Sequence, residues 1–542
     1  MFINFSDIPA HQNLFLDYLD EYQNVERFYS KNFRDIEQYL PFFKQLSQKE
    51  RPNRAKIAEI VQAQYYNLKI SKQTEQNIEA LKSAKTIAVF TGQQLGILGG
   101  PLYTIYKSIT AIKLCNHLKE IYDDFNFVPI FWLEGDDHDF DEVRNFSVLN
   151  NDNQLVNIKY DDGQLDEINR GSIGALKFNQ NIENVISELT GNLRETEFKP
   201  SIVELVKSIY QPDKTFLESF RDLMIRLFDE YGLIVFNPLD AEVRKLLIPV
   251  FTKEISEFSE HTGYVVERSA EIEDVYHAQV KIKPINLFYL DDKERLSIEP
   301  TDTGEYRLKG KRKKFTKDEL LAQLETTPEI FSPNVLLRPI CQDYLFPTAF
   351  YVGGPGEISY FAQVSPLYKI YNIDEPFIYP RSSATIVEKG VIAILDKNNL
   401  SYTDIFSEEE ALIQKIVAAY SEINLESLFQ YSQEEMNSLL NQMSNTLVSI
   451  DKTLGDLTSK SKQRIEETIN LLKIKAVEAE KRKYDSTIRQ ITKVRNVLYP
   501  NTNLQERELN WIYFANKYGM DIFKWIYNEL AINKFEHQIL EL

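Results

Sequence analysis

The sequence predicts an α/β protein: a parallel-sheet core carrying two insertions, followed by a C-terminal α-helical coiled coil. Three observations predict it. Short apolar runs recur, each leaving into a Gly, Asp or Pro loop and then usually a helix, which is how a parallel sheet reads. Long polar intervals separate some of these runs. Beyond about 405 the pattern becomes almost wholly helical, with apolar residues at heptad spacing.

Residues 1–85 read as a helical region packing on the core, with Ile57, Ile60, Val61, Tyr65 and Leu68 at helical spacing. The core follows over 86–400. Its first strand is "TIAVF" (86–90), which leads into "TGQQLGILGGP" and a helix from Leu102 to Ile121. The second is "FVPIFWL" (127–133), ending in "EGDDHDFDE"; the third is "GLIVF" (232–236), ending in "NPLD". The fourth, "TAFYV" (348–352), runs into "GGPGE" and a helix, and "PFIYPRSSATIVE" supplies further strand. Insertions are expected at about 145–225 and 262–335.

Over 405–500 a coiled coil is expected. Met436, Leu440, Met443, Leu447, Ile450, Leu454 and Leu457 step by four and three without a miss. Ile465, Ile469 and Leu472 then restart in another register, as a stutter or a helical hairpin would require. Residues 501–542 form an aromatic helical cap.

With 62 Lys and Arg against 81 Asp and Glu, the net charge of −19 argues against a general nucleic-acid surface, though net charge leaves a local basic patch open. No apolar run reaches the length of a membrane span, and "MFINFSDIPAHQNLF" lacks the pattern of a signal peptide. The two cysteines, Cys115 and Cys341, form neither a CxxC pair nor a disulfide framework and fit a reducing interior. A cytoplasmic protein is expected, without nucleic-acid or membrane partners.

Ligands of parallel sheets bind beyond the carboxyl ends of the strands, so the four loops are expected to converge. In the first, Gly92, Gly96, Gly99 and Gly100 match neither GxGxxG nor a Walker A pattern. Strand, glycine loop and helix N-terminus would aim free N–H groups at a phosphate, or the glycines serve tight packing. Gln93 and Gln94 add neutral donors and acceptors, and Lys107 faces an anion or solvent. The second loop holds six carboxylates and His138. Such crowding calls for a cation or basic group, unless the loop is a solvated acidic one. His138 suits a general base, a donor to an anion or a metal ligand, while Asp136, Asp137 and Asp139 suit Mg²⁺ or an ammonium group. In "GGPGEISYF", Glu357 is either a helix-dipole partner or a grip on an amine or hydroxyl. Arg338 and Arg381 are either carboxylate or phosphate clamps or structural ion pairs; Gln342, Asp343 and Tyr344 accompany Arg338. The basic run "KGKRKKFTKDEL" reads as a solvated turn before a capping box from Thr316 to Glu319.

"FTGQQLGILGGPLYTIYK", "PIFWLEGDDHDFDE", "RPICQDYLFPTAFYVGGPGEISYFAQ" and the late coiled coil, in this order, closely resemble the bacillithiol biosynthesis cysteine-adding enzyme family over essentially the whole chain. The resemblance implies a Rossmann-like core, similar to nucleotidyl transferases and class I synthetases, and a coiled coil used for homodimerisation. It implies a carbon–nitrogen ligase that couples L-cysteine to the amine of glucosaminyl-malate, giving the low-molecular-weight thiol bacillithiol. The chain departs from the synthetase pattern, since its first loop has no histidine and no lysine–serine loop follows. Activating a carboxylate for amide formation calls most simply for ATP with Mg²⁺, through an adenylate or an acyl phosphate; no tightly bound cofactor is expected. On this reading His138, Gln94, Asp137 and Glu357 are the candidate catalytic residues. Thr91, Gly92, Gln93, Gly96, Gly99, Gly100, Lys107, Arg338, Tyr344, Gly354, Gly356 and Arg381 bind nucleotide or substrate, and Asp136 and Asp139 hold Mg²⁺. The alternatives are a cysteinyl transferase using a pre-activated donor, or a non-catalytic scaffold acting through its coiled coil.

Overall fold

Five parallel strands form the central sheet, in the spatial order Phe377–Pro380, Thr348–Gly353, Thr86–Gln94, Asn126–Glu134 and Ile234–Phe236. In chain order this is 5-4-1-2-3, so the winding direction reverses between Thr86–Gln94 and Thr348–Gly353, the switch point of a Rossmann-like sheet. Ile87, Ala88, Val89 and Phe90 are fully buried, the reason their run is continuously apolar rather than alternating. The helix Tyr103–Ile121 covers the first two strands in chain order, and Pro355–Tyr371 packs on the long helix Ala241–Glu273.

This computed structural model describes residues 1–542 except Pro52 and 421–424, and of Glu480 the backbone only. The residues 421–424 fall inside the predicted coil 405–500, and Pro52 inside the predicted helical region 1–85; both lie outside the described residues.

The first strand runs to Gln94, four residues past the apolar run that predicts it. Its register with Asn126–Glu134 is unbroken along the whole length, and a Cβ on Gly92 would stand 2.9 Å from the Trp132 carbonyl oxygen. Thr91 to Gln94 are therefore strand rather than loop. The helix from Ala241 runs through the predicted insertion boundary at 262 to Glu273. After it, the short strands Leu287–Asp291, Glu294–Pro300, Tyr306–Leu308, Lys314–Phe315 and Phe331–Pro333 make an antiparallel sheet. The interval 145–225 holds the hairpin Asn145–Leu149 and Leu155–Lys159, followed by three helices.

"PFIYPRSSATIVE" is two strands, because Arg381 and Ser382 interrupt it: Phe377–Pro380 joins the central sheet and Ser383–Val387 a three-stranded one with Phe2–Ile3 and His537–Glu541. Residues 503–542, helical with that closing strand, thus belong to the same compact unit as 1–386.

The second unit, 387–502, is helical. Its apolar seam does not continue through one helix as the spacing predicts. The helix Leu425–Ile450 ends at Asp451, whose carboxylate accepts from the Thr453 N–H at 2.8 Å, and Thr453–Lys483 packs back against it as a hairpin. Leu454 and Leu457 lie on the returning helix, and Ile450 and Leu457 are 73% and 60% exposed. No helix among the described residues is long and apolar enough to cross a membrane.

Candidate active site

A cleft of about 570 Å³ opens beyond the carboxyl ends of the central strands, at the switch point. Gly92, Gln93, Gln94 and Glu134 reach it from strand ends, Tyr103 and Lys107 from the following helix, and Asp137, His138 and Glu142 from the acidic loop. Gly354, Gly356 and Glu357 face them, with Arg338 and Arg381 beside. Seven Lys and Arg residues and four carboxylates line the cleft, so the wall is cationic on balance in a protein of charge −19.

Lys107 faces neither solvent nor a free anion. It is buried, its Nζ 2.5 Å from Glu357 Oε2, and it donates to the Gly92 carbonyl and to Gln93 Oε1, each at 2.9 Å. Burial pushes its pKa down, against the pull of Glu357. Burial would raise that of Glu357, but Lys107, the Gly354 N–H at 2.8 Å and the Tyr351 hydroxyl at 2.6 Å hold it below the usual carboxylate range.

The opposite side is built differently. Arg295 is buried, yet its guanidinium meets only neutral acceptors: Ser332 Oγ at 2.9 Å, the Pro333 carbonyl at 2.8 Å and His138 Nδ1 at 3.0 Å. Lys283 shares the Phe288 ring with it, at 4.1 Å against 3.7 Å for Arg295. Two cations with no carboxylate within ion-pair distance, though Asp136, Asp137 and Glu134 act on Arg295 from further off, make a place for an anion. Because Arg295 donates to Nδ1, the His138 proton sits on Nε2, and the ring is a hydrogen-bond donor rather than a base through Nδ1. Burial and Arg295 hold its pKa below the usual value.

Arg338 Nε stands 3.4 Å from Glu134, and its other nitrogens donate to Gln342 Oε1 and the Tyr360 hydroxyl. Arg381 is a structural ion pair: Glu506, buried, accepts from it at 2.6 Å and from Ser383 at 2.9 Å. His537 completes that cluster, with Nδ1 2.8 Å from Ser383 Oγ and Nε2 2.8 Å from Thr385 Oγ1.

Several expectations are corrected. Gly96, Gly99 and Gly100 do not line the cleft, and their N–H groups are spent on Gln94, Gly96 and Ile97 carbonyls. The Leu98 N–H donates to the Tyr210 hydroxyl, while Asn510 and Trp511 donate to the Leu98 carbonyl. That half of the loop is packing, and no row of free amides awaits a phosphate. Thr91 is fully buried and ties the sheet together through the Val352 carbonyl. Tyr344 lies outside the cleft. Asp136 and Asp139 do not form a cation site: Arg244 donates to both oxygens of buried Asp136 at 2.5 and 2.7 Å, and Asp139 caps the short helix Phe140–Val143. Among the described residues no three His, Cys, Asp or Glu groups converge to hold a metal. The capping box from Thr316 to Glu319 is present.

Other cleft residues carried no signal in the sequence. Arg295, Lys283, Phe288 and Asn334 come from the second predicted insertion, where no motif surrounds them, and Arg507 comes from the predicted cap. Glu134 and Glu142 lie within the acidic run, but nothing in that run separates them from its other carboxylates. Lys283 and Arg295 fit the oxygens of a phosphate or carboxylate; the spent amides of the glycine loop add no cradle for a nucleotide.

Fold and cleft define a Rossmann-like protein with its polar site at the switch point of a parallel sheet. Comparison with known families carries this to a particular one. The model "Bacillithiol biosynthesis BshC, N-terminal Rossmann-like domain" matches residues 1–382, and "Bacillithiol biosynthesis BshC, C-terminal coiled-coil domain" matches 384–542. The chain belongs to the BshC family of bacillithiol biosynthesis. Among curated relatives, the protein of Salinibacter ruber is 36% identical over 536 residues, covering 98% of this chain and 97% of its own. That of Chlorobaculum tepidum is 34% identical over 503 residues, 90% and 89% of the two chains, and that of Koribacter versatilis 31% over 527, 96% of each. All three carry the name "Putative cysteine ligase BshC".

Proposed function

We propose that the chain is a carbon–nitrogen ligase that joins the carboxyl group of L-cysteine to the amine of glucosaminyl-malate, forming bacillithiol. The observation that carries this is the cleft itself: in a BshC-family chain, cations without carboxylate partners stand across from carboxylates at the switch point of the sheet. Lys283 and Arg295 would bind a carboxylate or the phosphate of an activated acyl group, with the His138 Nε2–H donating to oxygen. Asp137 and Glu142 would hold an ammonium group. Gln93 and Gln94, hydrogen-bonded to each other at 2.8 Å, would orient polar substrate groups at the strand end. Such a site lowers the barrier by positioning reactants and stabilising charge that develops on oxygen.

ATP with Mg²⁺ would activate the cysteine carboxylate. The spent amides of the glycine loop favour a second reading, in which a pre-activated cysteinyl donor arrives and no nucleotide binds. One assay separates them: purified protein with cysteine, glucosaminyl-malate and ATP, following bacillithiol and nucleotide together. Product with AMP or ADP supports the first reading. Product only from an activated donor supports the second, and no product from either donor overturns both.

Homodimerisation through the helical hairpin is part of the proposal, supported by the exposed Met443, Ile450 and Leu457. Sedimentation of wild type beside I450E/L457E tests it, with a monomeric double variant expected.

A further inference from the structure

We propose that Glu134 is the proton acceptor of the amide-forming step, a catalytic role that rests on the ligase reading above. Glu134 ends the strand Asn126–Glu134 opposite Gln94, the last residue of the neighbouring strand, and its side chain, 23% exposed, opens into the cleft.

The other lining carboxylates and His138 each have a hydrogen-bond partner. Glu357 accepts from the Tyr351 hydroxyl and the Gly354 N–H and pairs with Lys107, and Asp137 Oδ1 accepts from the His138 N–H at 2.7 Å. Glu142 accepts from Gln94 at 3.1 Å, and His138 Nδ1 faces Arg295. Among the described residues, Glu134 is the lining carboxylate that accepts no hydrogen bond; Arg338 Nε at 3.4 Å is its ion-pair partner. It therefore lacks the donors that keep buried carboxylates such as Glu357 ionised.

Four charged groups face it. Arg338 comes from the helix Arg338–Leu345, Asp136 and Asp137 from the loop after its own strand, and Arg295 from the antiparallel sheet. Burial, opposed by Arg338 and reinforced by the two aspartates, pushes the Glu134 carboxyl up to about 7. A base poised near the working pH is what removal of a proton from an amine requires.

The step balances as follows. The acceptor ammonium gives one proton to a Glu134 oxygen, freeing the nitrogen lone pair. That pair forms the C–N bond to the carbonyl carbon of a cysteinyl acyl phosphate or adenylate. The C–O bond to phosphate breaks and its electron pair leaves on the phosphate oxygen. The second N–H proton goes to water, and Glu134 returns its own to solvent.

The test compares wild type, E134Q and E134D in the full chain, with glucosaminyl-malate or with hydroxylamine, a small amine largely neutral at neutral pH. The substitution E134Q should lower kcat for glucosaminyl-malate by about 100-fold or more, with KM changed less than about threefold. It should also remove the acid limb of the pH profile near neutrality, and E134D should restore part of the rate. Cysteine hydroxamate formation should stay within about threefold of wild type, which also shows that the variant is folded. An unchanged pH profile in E134Q, a change confined to KM, or equal loss with both amines would overturn the proposal. A wild type that forms amide with neither amine would instead overturn the ligase reading, and this proposal with it.

Discussion

Lys107 Nζ lies 2.5 Å from Glu357 Oε2, joining the helix after the first central strand to the helix after the fourth. The pair lines the cleft at the switch point, with Lys107 buried and Glu357 partly exposed. Removing one member leaves a buried charge uncompensated, so K107M or E357Q should each cost about 3–5 kcal/mol. The double variant K107M/E357Q should lose much less than the sum, as a urea-unfolding double-mutant cycle would report. The pKa of Glu357 is depressed, so its contribution is present at neutral pH and is lost as pH falls through its folded-state value.

Glu134 predicts the opposite sign. Its pKa rises from 4.5 to about 7, so the folded chain binds this proton more tightly than the unfolded chain does. Stability therefore falls as pH rises through that interval, by up to about 3 kcal/mol from this group. The uncharged E134Q variant should unfold at higher urea than wild type above about pH 7, and the gap should close near pH 4. Equal midpoints at both ends would show that Glu134 is not desolvated.

Two buried arginines of the same region should respond differently. Arg244 is matched by Asp136, so R244M should cost about 3–5 kcal/mol by stranding the carboxylate. Arg295 has only neutral hydrogen-bond partners and burial outweighs the pull of the more distant carboxylates, so R295M should change stability by less than about 1 kcal/mol, or raise it. Calorimetry with malate as probe should show at least about tenfold weaker binding in R295M and unchanged binding in a folded R244M.

The glycine loop supplies a fourth test. Gly99 has φ of +80°, and a Cβ there would stand 3.2 Å from Leu223 Cδ2. The variant G99A should lose about 1–2 kcal/mol of stability while keeping wild-type KM values. A raised KM without destabilisation would return the loop to the cleft.

The apolar runs around Val89, Ile130, Val235 and Phe350 gave the parallel sheet away because strands buried on both faces leave few polar positions. Once the sheet is known, loop convergence follows, so Gln93, Gln94, Asp137, His138 and Glu357 were legible as neighbours. Which carboxylates are occupied was not. Asp136 and Asp137 are adjacent in sequence, yet one points to Arg244 and the other lines the cleft, a difference set by a helix over a hundred residues away. Arg295 was illegible for a similar reason: a lone arginine on a short strand has a meaning only through what folds against it. The seven-residue seam misled because heptad spacing survives a tight turn, and the Asp451–Thr453 hydrogen bond marks where the chain reverses.

The Arg381–Glu506 contact bears on the order in which the molecule can be finished. Every strand of the central sheet is synthesised before the helical hairpin, and Glu506 only after it. A nascent chain that has already emitted the whole sheet still holds Arg381 without its counter-charge, and Ser383 and the Ala384 N–H without their acceptor. The hairpin must clear the ribosome before that wall can set, so a chain arrested within the hairpin carries a sheet with an unfinished site.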